Sequence, residues 1–268
     1  MQTMKKNLKE YSKKFNPILE TNIFSLKECE RIVSILVKQQ DQWENRSPAG
    51  KFFMSYGALT YLDAQSGVAN DPEYEILKKN RDSTPFGYTA KAEYFNEMLA
   101  KHFGWMYAKI KMYYVERFEK KVVFKGALPG FHIFQTAEQL NQEYFKNLAT
   151  IHIDKPFTCH EWGSDLVSAS SFTIAVKLPK CGAGLNIWLD NSIFKNINTV
   201  YYHNMSKEEQ LSVSKEAKYL PYKLGHMYEQ TGYTPHQITL AGDAEKGERR
   251  ITVQGHLVET TNEIIIYV

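Results

Sequence analysis

The stretch "ATIHIDKPFTCHEWG" (residues 149–163) ends an apolar, β-branched run with a histidine and an aspartate two positions apart. In a strand, side chains at i and i+2 leave from the same face. Ala149, Ile151 and Ile153 therefore point one way, and His152 and Asp154 the other. A carboxylate beside an imidazole on a buried strand is costly unless a hydrogen-bond partner or a metal compensates. Which of the two compensates decides what this strand is for.

The surroundings of that stretch are β-rich. From Val122 onward the chain breaks into short runs punctuated by Gly and Pro: "VVFKGA", "GFHIFQ", "ATIHID", "SSFTIAVKLP", "AGLNIWLD", "GHMYEQTG", "HQITLAG", "RRITVQGHLVE" and "NEIIIYV". Many short strands with turn signals between them predict an antiparallel sandwich or barrel rather than a βαβ sheet. Two helices are expected to interrupt them, "TAEQLNQEYFKNL" capped by Thr136-x-x-Gln139 and "SKEEQLSVSKEAK" capped by Ser206-x-x-Glu209.

Residues 1–121 read mainly as helix. "FSLKECERIVSILVKQQDQWE" opens with the capping box Ser25-x-x-Glu28 and sets Ile32, Ile35 and Leu36 on one stripe. A second helix is expected over residues 89–121, with a break near Gly104. The segment between the two helices is rich in turn formers and aromatics, and reads as loop with a short helix. No repeat or low-complexity linker marks a boundary, so residues 1–268 are expected to form a single α+β domain.

A chain of 268 residues buries a full core, and 43% hydrophobic with 24% charged residues is the balance of a globular protein. A formal charge of +3 is too small to argue for nucleic acid, and the basic "KKNLKEYSKK" reads as a solvated face. The three cysteines, Cys29, Cys159 and Cys181, lack metal-finger spacing and cannot all pair, which fits a reducing cytoplasm. No apolar run approaches the roughly 20 residues that span a bilayer, and no signal-peptide pattern opens the chain. The expectation is a cytoplasmic protein without a membrane or nucleic-acid partner, its oligomeric state open.

Two histidines and one carboxylate around open positions is the donor set of non-heme Fe(II) oxygenases. The third ligand must then come from a downstream strand. His236 in "GYTPHQITLAG" is the leading candidate, with His226 as runner-up. Further on, alternation in "RRITVQGH" puts Arg250 and Thr252 on one face, where a guanidinium and a hydroxyl can hold one carboxylate together. Arg249 takes that place if a bulge shifts the alternation.

The order "HID" (His152, Asp154), "PHQI" (His236), "RIT" (Arg250, Thr252) resembles the iron(II)/2-oxoglutarate-dependent dioxygenases. "LPGFHIF", "GLNIW", "TGYTPHQI" and "RITVQGH" are similar to strands of their small-molecule-modifying branch, which includes cyanobacterial alkaloid halogenases. The resemblance extends over residues 128–257. It implies a double-stranded β-helix (jelly-roll, cupin-like) core over residues 122–268, with the N-terminal helices packed on it. It implies Fe(II) at His152, Asp154 and His236, with 2-oxoglutarate anchored by Arg250 and Thr252. Together with O2 these would oxidise a C–H bond of a small molecule, releasing succinate and CO2. The related halogenases carry a small residue where Asp154 stands, so the aspartate favours hydroxylation, with desaturation or another oxidation as alternatives, over halogenation.

Other residues carry competing readings. His132 and Phe134 share a strand face and either contact the substrate or pack in the core. Asn186, with Trp188, is a further candidate for the cavity. His160 reads as a loop residue and His256 as structural, while Tyr107, Tyr113 and Tyr114 read as core. Residues 191–225 form a long insertion, a lid or a surface elaboration. The substrate expected is a free amino acid or a small natural product. The same residues also leave open a non-catalytic cupin-like binding protein or a Zn-dependent hydrolase.

Overall fold

In "RRITVQGHLVET", Ile251, Val253 and Leu257 leave one face of the strand, and Arg250, Thr252, Gln254 and His256 leave the other. All seven are buried, so this strand is covered on both sides. The computed structural model describes residues 18–46, 53–59, 63, 88–135, 151–152, 154, 165–188, 199–200, 216–231, 234–240 and 244–268. In it this segment is β13 (Arg249–Thr260), at the centre of the larger of two sheets.

That sheet runs β1 (Ile18–Asn22), β11 (His226–Thr231), β7 (Leu166–Lys177), β13, β5 (Gly130–Gln135), β3 (Phe53–Tyr56) and β2 (Glu44–Asn45). Beyond β13 it also carries β14 (Glu263–Tyr267), which pairs with β4 (Lys121–Phe124). The smaller sheet runs β10 (Lys218–Pro221), β8 (Ala183–Ile187), β12 (His236–Leu240), β6 (Ile151–His152) and β9 (Thr199–Val200). The pairings are antiparallel except β4 with β14, which is parallel and departs from the all-antiparallel expectation.

The capping box forms as expected. Ser25 Oγ accepts from Glu28 N–H at 3.3 Å, and Ser25 N–H donates to Glu28 Oε2 at 2.7 Å, opening α1 (Leu26–Val37). In α2 (Tyr88–Phe118) the backbone leaves helical geometry at Phe103 (φ −124°, ψ 16°), beside the expected break at Gly104. Ile32 and Leu36 of α1 and Phe103, Ile110 and Tyr114 of α2 pack with Phe172, Ile174, Val253 and Leu257 on one face of the larger sheet. Each such aliphatic side chain stabilises the fold by roughly 1.5–3 kcal/mol on full burial. The other face meets the smaller sheet, where Phe134, Ala175 and Tyr228 pack with Leu185, Ile187, Ile238 and Leu240. The result is an α+β arrangement with helices on one side and two sheets facing each other on the other.

Two glycines permit close approaches. A Cβ on Gly184 would stand 2.1 Å from Leu220 O, where β8 meets β10. Gly225 has φ +79°, and its Cβ would stand 1.9 Å from Phe24 O. Its carbonyl accepts from Ile23 and Phe24 N–H, each at 2.9 Å, tying the entry to α1 onto β11.

The structure differs from expectation in two places. The first half is not only helical, since β1, β2 and β3 extend both ends of the larger sheet. Four- and five-residue strands such as "FMSY" are too short for a period to show, and only their pairing defines them. Residues 191–225 are not solely an insertion, because β9 and β10 within them form the two edges of the smaller sheet. The helices expected after Thr136 and Ser206 fall, apart from the last residues of the second, outside the described residues, as do His160 and Cys159. Cys29 and Cys181 are free thiols. No helix among the described residues is long and apolar enough to cross a membrane.

Candidate metal centre and anion cradle

β6 pairs with β12 in the register His236↔His152. Directly opposed residues share a face, so the two imidazoles lie side by side, with ring centroids 4.3 Å apart. Asp154 follows β6 and turns to the same side. Its Oδ1 is 3.6 Å from His152 Nε2 and its Oδ2 3.6 Å from His236 Nε2. One donor atom from each of the three residues lies within 4.8 Å of the others.

The protonation states suit a cation. His236 Nδ1–H donates to Thr234 O at 2.9 Å, which leaves the Nε2 lone pair facing Asp154. Burial pushes the His236 imidazole down to about 4, with the neighbouring His152 adding to the shift. Burial opposes ionisation of Asp154, yet His236 and His152 beside it hold its carboxyl well below the usual carboxylate range. Neutral imidazole and carboxylate donors converging on one point fit a divalent metal. His226, the alternative ligand, is engaged elsewhere, with Nδ1 2.9 Å from Glu20 Oε1.

The larger sheet supplies the facing wall. Arg250 is 2% exposed, and its guanidinium carbon lies 5.3 Å from the ring centres of both Phe134 and Tyr222. Arg250 Nε and Nη1 and Thr252 Oγ1 are buried without a hydrogen-bond partner among the described residues, and the Tyr222 hydroxyl stands beside the guanidinium. A buried cation left in that state is strongly unfavourable, and a carboxylate between these groups would satisfy them. The one irregularity of β13 nearby lies between Ile251 and Thr252 on its β7 side, while Arg249–Gln254 pair with β5 without interruption. Alternation therefore holds, and Arg249 turns away, its guanidinium 5.2 Å over the Trp43 ring.

His132 and Phe134 share the face of Thr252 and Arg250, their direct cross-strand partners. Phe134 stacks on Phe53 at 4.6 Å, and His132 meets the same ring edge-on at 5.4 Å. Burial, followed by the charge of Arg250, pushes His132 down to about 3. Asn186 faces the other way. Its cross-strand partner is Gln237, whose Oε1 accepts from Asn186 Nδ2 at 3.3 Å, whereas Ile187 is the residue paired with His236. The structure thus removes Asn186 from the inner face. His256 lies on the inner face, with Nδ1 3.1 Å from Ser171 Oγ.

Sequence reasoning missed Tyr222 and Gln230. Tyr222 follows a proline just beyond an edge strand and carries no local signal. Gln230 alternates with Tyr228 in "HMYEQT", so its inward direction was readable, but not what it meets: its Nε2 is 3.3 Å from Asp154 Oδ2.

No protein-family model matches the sequence, and no curated protein sequence matches it. Solved structures do. An N-substituted L-amino acid dioxygenase from Burkholderia ambifaria AMMD is 10% identical, covering 98% of this chain and 90% of that one, with a TM-score of 0.51. The same enzyme in complex with alpha-ketoglutarate (2-oxoglutarate) is 9% identical over 99% and 91%, with a TM-score of 0.52. At such identity the likeness is one of backbone architecture. On that architecture this chain has the fold of that N-substituted L-amino acid dioxygenase.

Proposed function

We propose that this protein is an Fe(II)- and 2-oxoglutarate-dependent oxygenase that hydroxylates a C–H bond of a small molecule, releasing succinate and CO2. The observation that carries this is the pairing, in one interior, of the His152–Asp154–His236 donor set with the buried guanidinium of Arg250, whose Nε and Nη1 lack a hydrogen-bond partner among the described residues. A zinc hydrolase needs the first but has no use for the second. The strand orders β11-β7-β13-β5 and β10-β8-β12-β6 support a double-stranded β-helix core over residues 122–268 within a single domain.

His152, Asp154 and His236 would hold the iron, and Arg250, helped by Thr252 and Tyr222, the 5-carboxylate of 2-oxoglutarate. Bound iron would supply the activation of O2 and the oxidative decarboxylation of 2-oxoglutarate. The chain's part is orientation. Thr234 fixes the His236 tautomer, Arg250 and Thr252 hold the cosubstrate by its far end, and Phe53, His132 and Phe134 offer one wall to the substrate. Asp154 keeps an anionic protein ligand where the related halogenases have a small residue, which favours hydroxylation.

Anaerobic Fe(II) and 2-oxoglutarate together are expected to produce an absorption band that neither gives alone, and air then to release succinate. N-substituted amino acids are the first substrates to screen for stimulated succinate release. The product is expected to be heavier by one oxygen. Absence of the band, or a chlorinated product from the wild type, would overturn this reading.

A further inference from the structure

Gln230 stands on β11 of the larger sheet, yet its amide reaches across to the donor set of the smaller one. Its Nε2 is 3.3 Å from Asp154 Oδ2 and 2.9 Å from each ring nitrogen of His236. Charge fixes the amide's orientation, because the reverse would set a carbonyl oxygen against the Asp154 carboxylate. Gln230 is 6% exposed, and its Oε1 has no hydrogen-bond partner among the described residues. A buried amide that leaves its own acceptor unsatisfied is held there by what its donor does.

The sheet explains why the residue reaches so far. Gln230 is opposed by Ser171 on β7, and Ser171 by His256 on β13, which makes a polar row across the inner face. Ser171 turns its Oγ to His256 Nδ1 at 3.1 Å and also hydrogen-bonds to the Asp154 carboxyl, so Gln230 and Ser171 meet that carboxyl from neighbouring strands. The segment after β11 then passes from one sheet to the other, so Gln230 and His236 lie on opposite walls though close in sequence. Resting on the metal-site reading above, we propose that Gln230 is a positioning residue. Its N–H groups pin Asp154 Oδ2 and pack on the His236 ring, so that both donors meet an incoming divalent cation already oriented. In that role the amide N–H groups contact the donors and not the cation.

Removal of such a supporting group typically costs 10–100-fold in metal affinity. The test is anaerobic titration of the purified protein with Co(II), followed by its visible absorption. Q230M keeps the length of the side chain and removes the donor, while Q230E keeps its shape and replaces the donor by an anion. The wild type is expected to bind one Co(II), and Q230M to bind it about 10–100-fold more weakly with an altered visible spectrum. Q230E is expected to change the spectrum as well, with circular dichroism showing both variants folded. Tight Co(II) binding by wild type and both variants, with one unchanged spectrum, would overturn the role of Gln230 alone. A wild type that binds no Co(II) would overturn the metal site beneath it.

Discussion

His152 and His236 sit directly opposite each other across the β6–β12 pairing, with ring centroids 4.3 Å apart. The pairing joins a strand at residue 151 to one that begins at residue 236, so the site exists only when the smaller sheet has formed. Asp154 and the Thr234 carbonyl, which lie just outside those strands, then set the direction of the donor atoms.

His152→Ala, Asp154→Ala and His236→Ala are each expected to abolish Fe(II)-dependent succinate formation while the far-ultraviolet dichroism stays unchanged. Full turnover by any one of them at ordinary iron concentration would remove that residue from the donor set.

Arg250→Ala is expected to weaken 2-oxoglutarate binding by about 2–5 kcal/mol, since it removes a charge-assisted contact in a buried site. Arg249→Ala loses only a partly exposed contact with Trp43 and should leave the affinity nearly unchanged. Calorimetric titration of both variants in the presence of metal checks this, and a larger loss in Arg249→Ala would contradict the strand register.

Asp63 holds a buried ionic cluster. Its carboxylate accepts from Arg46 Nη1 at 2.9 Å and Nη2 at 3.0 Å, and lies 3.3 Å from Lys91 Nζ. Arg46 Nε in turn donates to Ser55 Oγ at 2.7 Å, beside His132 on the inner face. Glu44 also pairs with both cations, so Asp63→Ala removes one of their two carboxylate partners and is expected to cost about 1–3 kcal/mol in urea unfolding. A loss below about 1 kcal/mol would place the cluster among screened surface pairs.

His132 is pushed down to about 3 by burial and by Arg250, from an ordinary 6.5. A histidine whose folded pKa is depressed binds its proton more readily when unfolded. Its contribution to stability is therefore complete above pH 6.5 and lost as pH falls from there towards 3. The loss reaches about 4 kcal/mol at pH 3. His132→Phe should flatten the slope of unfolding free energy against pH between 6.5 and 4. An unchanged slope would show that other groups govern acid unfolding.

Much of the site was legible locally. The H-x-D spacing puts His152 and Asp154 on one side because strand geometry repeats every second residue, and the same period joins Arg250 to Thr252 and His132 to Phe134. The Ser25–Glu28 capping box was readable because both partners lie within one helical turn. Alternation likewise separates Asn186 from Ile187, but it does not say which of the two faces inward. The pairing Ile187↔His236 decides that, and sends Asn186 to the outer face.

The sequence by itself determined which residues share a face, since that follows from bonds between near neighbours. Only the tertiary structure decided which faces meet. It set β1, β2 and β3 at the ends of a sheet otherwise built by the second half, and it brought Tyr222 over Arg250 and Gln230 against Asp154. Strand pairing and sheet-on-sheet packing are chosen by burial summed over many distant residues, and a shift of register by one residue would exchange inner for outer along a whole strand.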